Sequence, residues 1–383
     1  MTDHACRACR SRSGHLVLDL GEQPACDYFP AEGDPGPDPE YPLEMWLCAA
    51  CGLAQLVADP TVPAEPRGAE PAALVAQAAD AVGRAADAGL LRAGSTVTEY
   101  GSPHGGSWLG LLAERGLIPA APGGPADVII DCFGMMHAAD QAAALAERAA
   151  RVSDTGVLLL QYHSLNAIIR GGQWNALRHA HYAYYSTTAL TGLLATNDLH
   201  PSAAWHFDLY GGTVLLAAGR QAPFSGAGRE SVDALLADDV KVGVTDPEVV
   251  GGLGRDAIAG ADGLRAWLVA QHQQGRMVLG YGAASRAVAL LRRAGIEKSL
   301  LPAVADASPA KVGLRMPGTD IPVVSPAELG ARKPDAVLLF LADLRAEVRA
   351  AYPEVEGHGG HWVDADSLSG WQGSDSGGLK QHA

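Results

Sequence analysis

A glycine-rich turn at residues 99–106, EYGSPHGG, constrains the fold of this chain more than any other stretch. It follows an apolar run around Val97 and precedes an apolar helical pattern that begins at Trp108, so it joins a strand to a helix. In doubly wound α/β folds, a turn of this kind lies where a nucleotide cofactor binds. Because such turns also occur where nothing binds, the turn alone predicts an α/β domain and leaves its ligand open.

The chain after this turn alternates between strand and helix patterns. Three strands are predicted, at 95–100, 126–131 and 156–162, and two helices, at 106–115 and 138–150. This alternation predicts a parallel sheet with helices on both faces. A helix with Ser186 as its N-cap and two strands, at 203–209 and 213–218, complete a central domain over 66–222.

A second strand, glycine-rich turn and helix occur in the string MVLGYGAASRAVALL, with Gly280, Gly282 and Ser285 at the turn. Further strand patterns lie at 301–305, 321–324 and 336–341. They predict a second Rossmann-like domain over 223–370. The Gly- and Ser-rich residues 371–383 are predicted to form a disordered tail.

Two C-x-x-C pairs supply four thiolates near the start of the chain: Cys6, Cys9, Cys48 and Cys51. Four thiolates suit a tetrahedral zinc ion and leave no open position, so the predicted zinc is structural. Two disulfides are the rival interpretation, which the short spacing and the lack of a secretory signal disfavour. We predict a zinc-binding module over 1–65, then a proline-rich linker at 57–68 and a helix at 71–91.

The composition excludes several classes of partner. A net charge of −15 over 383 residues, without clusters of Lys and Arg, argues against nucleic acid and against an anionic membrane surface. No apolar run approaches the about 18 residues of a membrane span, and no apolar signal core opens the chain. We therefore expect a soluble cytoplasmic protein whose partner is a small molecule.

Strings along nearly the whole chain resemble a known family, the three-domain C-methyltransferases that act on nucleotide-linked deoxy-keto-sugars. The N-terminal strings are CRAC, LDLGEQP and YPLEMWLCAACGLAQL, and the C-terminal strings are GYGAASR, PGTDIPVVSPAEL and PDAVLLF. The resemblance implies an α/β fold with an N-terminal zinc module, a central Rossmann-like methyltransferase domain and a second, C-terminal Rossmann-like domain.

The resemblance also implies that the first turn binds S-adenosylmethionine. The family turn runs E-x-G-S-N-D-G, which maps the cofactor-binding role onto Glu99, Gly101, Ser102 and Gly105. Pro103 and His104 stand where the family has Asn and Asp, and a proline removes one backbone donor. Only about ten residues, LIPAAPGGPA, precede the string ADVIID, so the central domain is shortened and lacks a position for the carboxylate that holds the ribose.

The substrate site is implied by a family motif, Y-H-E-H, whose last histidine is the base. Here the stretch reads Arg178-His179-Ala180-His181, so the resemblance makes His181 the base and His179 its neighbour. Histidine suits removal of a proton next to a ketone, because its pKa lies near neutrality. Further candidates lie at or near the carboxyl ends of predicted strands, with Tyr162 placed in the catalytic group.

Five residues are predicted to bind substrate, through the diphosphate, ribose or sugar: Arg178, Tyr210, Tyr281, Arg286 and Asp306. Two more histidines, His137 and His163, follow predicted strands. Each has a simpler interpretation, since the histidines and tyrosines could pack between domains and the arginines could pair with local carboxylates.

Three functions remain open from the sequence. The first is a C-methyltransferase of deoxysugar or secondary-metabolite biosynthesis, in which an enolate takes a methyl group from S-adenosylmethionine. The second is a homologue that has lost this cofactor and carries out isomerisation, epimerisation or elimination on a related substrate. The third is a non-catalytic pseudoenzyme or scaffold.

Overall fold

The computed structural model describes residues 4–34, 36–61, 70–102, 105–221 and 227–372. Most of the predicted linker, Pro103 and His104, and the predicted tail from residue 373 lie outside the described residues. Three sheets organise the described part of the chain. None of its helices combines the length and the apolar character that crossing a membrane requires.

The N-terminal sheet is antiparallel and has the order β1-β2-β3-β8. Its first three strands are β1 (Gly14–Pro24), β2 (Glu40–Cys48) and β3 (Ala54–Leu56). The fourth strand, β8 (Ala183–Tyr184), comes from the middle of the chain and pairs antiparallel with β3. The segment that carries His181 is thereby attached to the cysteine-bearing module.

The central region contains the following elements: α1 (Ala72–Asp87), β4 (Thr96–Tyr100), α2 (Leu109–Ala113), β5 (Ile118–Pro119), β6 (Ala126–Cys132), α3 (Gln141–Arg151), β7 (Val152–His163), α4 (Leu165–Arg170), α5 (Thr187–Ala195), β9 (His200–Phe207) and β10 (Thr213–Gly219). The sheet order is β5-β4-β6-β7-β10-β9. Ser186 caps α5 as predicted, with its hydroxyl accepting from the Ala189 N–H.

The alternating strands form a parallel sheet as predicted, and one later strand reverses direction. Strands β5, β4, β6 and β7 are parallel, whereas β10 runs antiparallel to both β7 and β9. A short 3-10 turn at Leu209–Gly211 connects β9 to β10. That connection is too short for the crossover that a parallel pair needs.

The edge of this sheet beyond β4 is reduced to β5, a strand of two residues. Residues 120–126, which follow it, contain no acidic side chain. The described edge therefore ends without the carboxylate-bearing strand of a full domain, as the short interval in the sequence predicted.

The C-terminal region contains the following elements: α6 (Ala227–Val242), α7 (Pro247–Gly251), α8 (Leu253–Gln273), β11 (Val278–Tyr281), α9 (Ser285–Ala294), β12 (Val304–Ala305), β13 (Val323–Val324), α10 (Ala327–Arg332), β14 (Ala336–Leu339), α11 (Arg345–Ala351), α12 (Glu354–Gly357) and β15 (His361–Asp364). Its sheet, β13-β12-β11-β14-β15, is parallel throughout, which confirms a second Rossmann-like unit.

Buried contacts join the modules. One hydrophobic core lies around the central sheet, and another combines β1 and β2 with α8, α9 and the C-terminal sheet. Arg315 and Asp38 form a bidentate ion pair between the C-terminal region and the N-terminal module, with both N–O distances at 2.6 Å. Both side chains are less than a tenth exposed.

Candidate functional site

The four cysteines of the C-x-x-C pairs meet at one point. Their Sγ atoms all lie within 4.8 Å of one another, with 3.5 Å between Cys6 and Cys51 and 3.6 Å between Cys9 and Cys48. No pair is bonded as a disulfide, and four thiolates at about 2.3 Å from a shared zinc would be separated by about this much. The donor set therefore fits a tetrahedral structural zinc.

A second site is a cavity of about 610 Å³ where the two Rossmann-like sheets face each other. Residues at or just after the ends of β6, β7, β11, β12 and β14 contribute to its wall, so the carboxyl ends of both sheets open into one space. The N-terminal module adds Asp27. The volume lies within the about 300–1,000 Å³ usual for small-molecule sites.

Backbone strain is concentrated around this cavity. Phe133, Ala180 and Tyr210 have left-handed φ angles of 61°, 65° and 56°, and all three line it. Non-glycine residues persist in this region only where the surrounding structure holds them, which is common at ligand sites. The Ala180 N–H donates to an Asp59 carboxylate oxygen at 2.5 Å, and that bond helps to hold the turn before His181.

Three histidines line the cavity on its central-domain side: His137, His163 and His181. The His137 and His181 rings lie edge to face with centroids 4.2 Å apart. Burial, reinforced by the Arg178 charge, lowers the pKa of His137 to about 4. Burial also lowers the pKa of His163 to about 3, and Nε2 of that ring lies 3.0 Å from Oε1 of Gln173.

Two residues of the predicted catalytic group lie away from the cavity wall. The His179 ring packs against Tyr41, its Nε2 lies 3.4 Å from the Pro42 carbonyl oxygen, and burial lowers its pKa. The Tyr162 hydroxyl lies 3.0 Å from the Thr187 hydroxyl in the core, where burial raises its pKa.

The predicted substrate-binding residues come together at the cavity from two domains. Arg178, Tyr210, Tyr281, Arg286 and Asp306 all line it. The Arg178 guanidinium donates to the Ser285 hydroxyl at the start of α9, across the boundary between domains. Burial raises the pKa of Tyr210 to about 12, so that phenol is protonated at neutral pH.

The Arg286 guanidinium is buried at this cavity without a hydrogen bond to a described carboxylate. Burial and the neighbouring Arg178 lower its pKa, whereas Asp366 and Asp343 act electrostatically in the opposite direction. Its side chain is 8% exposed. A buried cation is costly unless an anion balances it, so the wall is suited to a negatively charged ligand.

The turn around Asp306 contains a residue that sequence reasoning missed. Asp306 accepts the backbone N–H groups of Ala283 and Ser308, at 2.7 and 2.8 Å, so it ties the turn after β12 to the turn after β11. Lys311 donates its Nζ to the Ala283 carbonyl at 2.8 Å and lines the same wall. In the sequence, only the position of Lys311 shortly after a predicted strand could have indicated that it lines the site.

The carboxylate of the predicted cofactor turn accepts hydrogen bonds from its own chain. The Glu99 carboxylate accepts from the Ser107 hydroxyl at 2.5 Å and from the Trp108 N–H at 2.7 Å. Glu99, Ser102 and Gly105 border a space of about 10 Å³, whereas Gly101 lies just before it on the turn. Such a space holds one water at most.

A buried ion pair completes the carboxyl end of the central sheet. Asp131, at the end of β6, accepts from the Arg148 guanidinium at 2.5 Å and from the Met135 N–H at 2.9 Å. The Arg148 guanidinium also stacks on the Tyr100 ring, 4.0 Å from its centroid. This cluster lies beside the turn and was not predicted, because it depends on a tertiary contact.

The described residues near this turn lack one group that commonly holds S-adenosylmethionine. No acid follows β5 to hold a ribose. Gly105 of the turn and the neighbouring Glu70 also line the large cavity. The large cavity, by contrast, has both volume and cationic groups for a ligand.

Comparisons with known proteins give a consistent relationship. Residues 208–365 match the family model described as "C-methyltransferase C-terminal domain", and residues 6–65 match the one described as "Putative zinc binding domain". The chain is 22% identical to the C-methyltransferase NovU of Streptomyces niveus over an alignment 398 positions long, which covers 94% of each protein.

Solved structures match over smaller parts of the chain. Magnesium protoporphyrin IX methyltransferase (ChlM) from Synechocystis PCC 6803 is 11% identical, covers 39% of this chain and 84% of its own, and has a TM-score of 0.28. An O-methyltransferase family protein from Burkholderia thailandensis is 16% identical, covers 39% of this chain and 57% of its own, and has a TM-score of 0.29.

Proposed function

The chain belongs to the three-domain C-methyltransferases, and from this premise we propose that it acts on a ketone-bearing sugar linked to a nucleoside diphosphate. Such a reaction belongs to deoxysugar or secondary-metabolite biosynthesis. The observation that carries the proposal is the cavity of about 610 Å³, whose lining combines Arg178 and the buried Arg286 with three histidines. A ligand that carries both an anionic group and a carbon acid would suit this lining.

The diphosphate would bind at the first turn of α9. Arg286 and Arg178 present guanidinium groups there, and guanidinium binds phosphate oxygens through paired hydrogen bonds. The helix N-terminus adds backbone donors and a positive partial charge. Tyr281 and Asp306 also line the cavity, and we propose that they contact the nucleoside.

His181 would be the base that removes a proton from the carbon next to the ketone. It lines the cavity, and the Asp59 contact at Ala180 helps to hold its backbone. His163 is less suited, since a pKa of about 3 makes it a weak base. Tyr162 and His179 would support the loop and the core.

Two reactions share this proton removal. The enolate can take a methyl group, which is the family's reaction, or it can recover a proton, which gives an isomer. The four cysteines would hold a structural zinc and take no part in either reaction.

Proton exchange tests the proposal directly. Thymidine and uridine diphosphate-linked keto-deoxysugars are incubated with the protein in deuterated water, and deuterium uptake at carbon is followed by NMR and mass spectrometry. We expect uptake with wild-type protein, a loss of at least about 100-fold in His181→Ala, and no change in His272→Ala, an exposed histidine. A protein that binds these compounds but never exchanges the proton would instead be a pseudoenzyme.

A further inference from the structure

The turn that carries Tyr210 has an unusual backbone conformation. Its successive residues Tyr210, Gly211 and Gly212 have positive φ angles of 56°, 75° and 141°. The turn connects β9 to β10, and its first residue in this region is a tyrosine, for which a left-handed φ is unfavourable. Such strain persists only where the surroundings impose it, and it is concentrated at functional sites.

Side chains of the central domain pack closely against the two glycines. A Cβ placed on Gly211 would lie 1.8 Å from the Gln173 Nε2, and one placed on Gly212 would lie 2.2 Å from the Ala167 Cβ. A larger residue at either position would therefore displace α4 or the segment that follows it. These contacts hold the backbone on which the Tyr210 side chain is mounted.

A carboxylate from the C-terminal region holds the same turn. Asp343, in the segment between β14 and α11, accepts the backbone N–H groups of Tyr210 and Gly211. Hydrogen bonds that a carboxylate accepts from N–H groups are shorter and stronger than those between neutral groups. The Tyr210 ring also meets the Phe133 ring edge to face, with centroids 5.8 Å apart. Both the backbone and the ring of Tyr210 are therefore held in place.

The Tyr210 side chain lines the cavity that also contains the proposed base, His181. The two belong to one cluster, because Arg178 lies three residues before His181 in the chain and its charge acts on Tyr210, His137 and His163. Burial raises the pKa of the phenol to about 12, whereas the neighbouring arginines act in the opposite direction. At neutral pH the phenol can therefore donate a hydrogen bond, and cations nearby would stabilise negative charge beside it.

We propose that Tyr210 is a further catalytic residue, the hydrogen-bond donor to the enolate oxygen, and that Asp343 is its positioning residue. This inference rests on the proposed function. When His181 takes the proton, the electron pair of the C–H bond forms the carbon–carbon double bond of the enolate, and the carbonyl π pair moves to the oxygen. Tyr210 donates its O–H to that oxygen and keeps its own proton. The enolate is thereby stabilised whether it next takes a methyl group or a proton.

Deuterium exchange of the same keto-deoxysugars by full-length Tyr210→Phe tests the proposal, because phenylalanine keeps the ring and removes only the hydroxyl. We expect kcat for exchange to fall by about 100-fold, while KM and the Kd for thymidine or uridine diphosphate stay within about twofold of wild type. Tyr28→Phe, which removes an exposed hydroxyl, should match wild type. An unchanged kcat in Tyr210→Phe, or a loss confined to KM, would overturn the inference and leave the proposed deprotonation intact.

Variants of Asp343 separate positioning of this hydroxyl from general support of the fold. Asp343→Ala should lower kcat by about 10-fold with little change in KM, and Asp343→Asn, whose amide oxygen still accepts hydrogen bonds, should recover part of the loss. The double variant Tyr210→Phe/Asp343→Ala should be no slower than Tyr210→Phe, because Asp343 acts through the hydroxyl that is already missing. Additive losses would overturn the role of Asp343. Absence of exchange in wild-type protein would overturn both this inference and the proposed function.

Discussion

Replacement of Arg286 by methionine is the most direct perturbation of the proposed diphosphate site. Its guanidinium lines the cavity at the first turn of α9 and is 8% exposed, without a hydrogen bond to a described carboxylate. Methionine keeps an unbranched chain of similar length at this buried position. The change therefore removes the charge and the donors while leaving most of the packing.

The expected loss of affinity follows from the contacts that Arg286 can make. A hydrogen bond between a charged donor and a phosphate contributes about 1.5–3 kcal/mol. Since about 1.4 kcal/mol corresponds to a tenfold change in Kd, Arg286→Met should weaken binding by about 10–100-fold. Arg286→Lys keeps the charge but loses the paired geometry, so its loss should be intermediate.

Isothermal titration with thymidine diphosphate and uridine diphosphate measures this effect. Arg293→Met is the matched control, because Arg293 lies on the same helix and is exposed to solvent. Thermal melts of each variant show whether it is folded. A Kd for Arg286→Met within about twofold of wild type would refute the reasoning, because a buried guanidinium that binds the diphosphate cannot be lost at so small a cost.

Two further predictions concern zinc and pH. Prolonged treatment with a strong chelator, or Cys48→Ser, should release about one equivalent of zinc and destabilise the N-terminal sheet. Proton exchange should fall as well, because β8 joins that sheet to the loop of His181. Metal analysis and activity assays measure both effects, and full activity in metal-free protein would contradict the prediction. Burial first, then Arg286 and Arg178, lowers the pKa of His163 to about 3. Below pH 6.5 the unfolded chain therefore binds the proton and the folded protein does not, so between pH 7 and 5.5 this histidine should remove about 1 kcal/mol of the free energy of unfolding. Urea titrations at several pH values should show that the free energy of unfolding falls by about 1 kcal/mol more in wild type than in His163→Gln over this interval. The same pH dependence in both proteins would contradict the prediction.

The sheets and the zinc cluster were predictable because they depend on local patterns. Apolar strands followed by glycine-rich turns indicated both Rossmann-like units, and the spacing of the cysteines indicated four ligands. The antiparallel β10 was missed, since strand direction depends on a connection whose path the sequence does not state. The same holds for the Asp131–Arg148 pair, which joins a strand to the following helix in the buried core.

The sequence does not show which side of a strand or loop a given side chain faces, and this limited the assignment of individual residues. Tyr162 and His163 are neighbours at the end of β7, and successive residues of a strand point to opposite faces. One residue therefore enters the core and the other the cavity, and the sequence does not say which. His179 and His181 are separated in the same way by Ala180, whose left-handed φ of 65° turns the chain between them.

The zinc module has a role in the proposed site although zinc takes no part in the chemistry. Asp59, which follows β3, accepts the Ala180 N–H, and β8 pairs with β3 just after His181. The backbone on both sides of the proposed base is therefore held by the module that the cysteines organise. In the family motif a glutamate occupies the position of Ala180, and here a carboxylate from another module contacts that position instead. Zinc would thus support proton transfer indirectly, because the module that it stabilises holds the backbone around His181. Loss of this structural metal would therefore lower the rate.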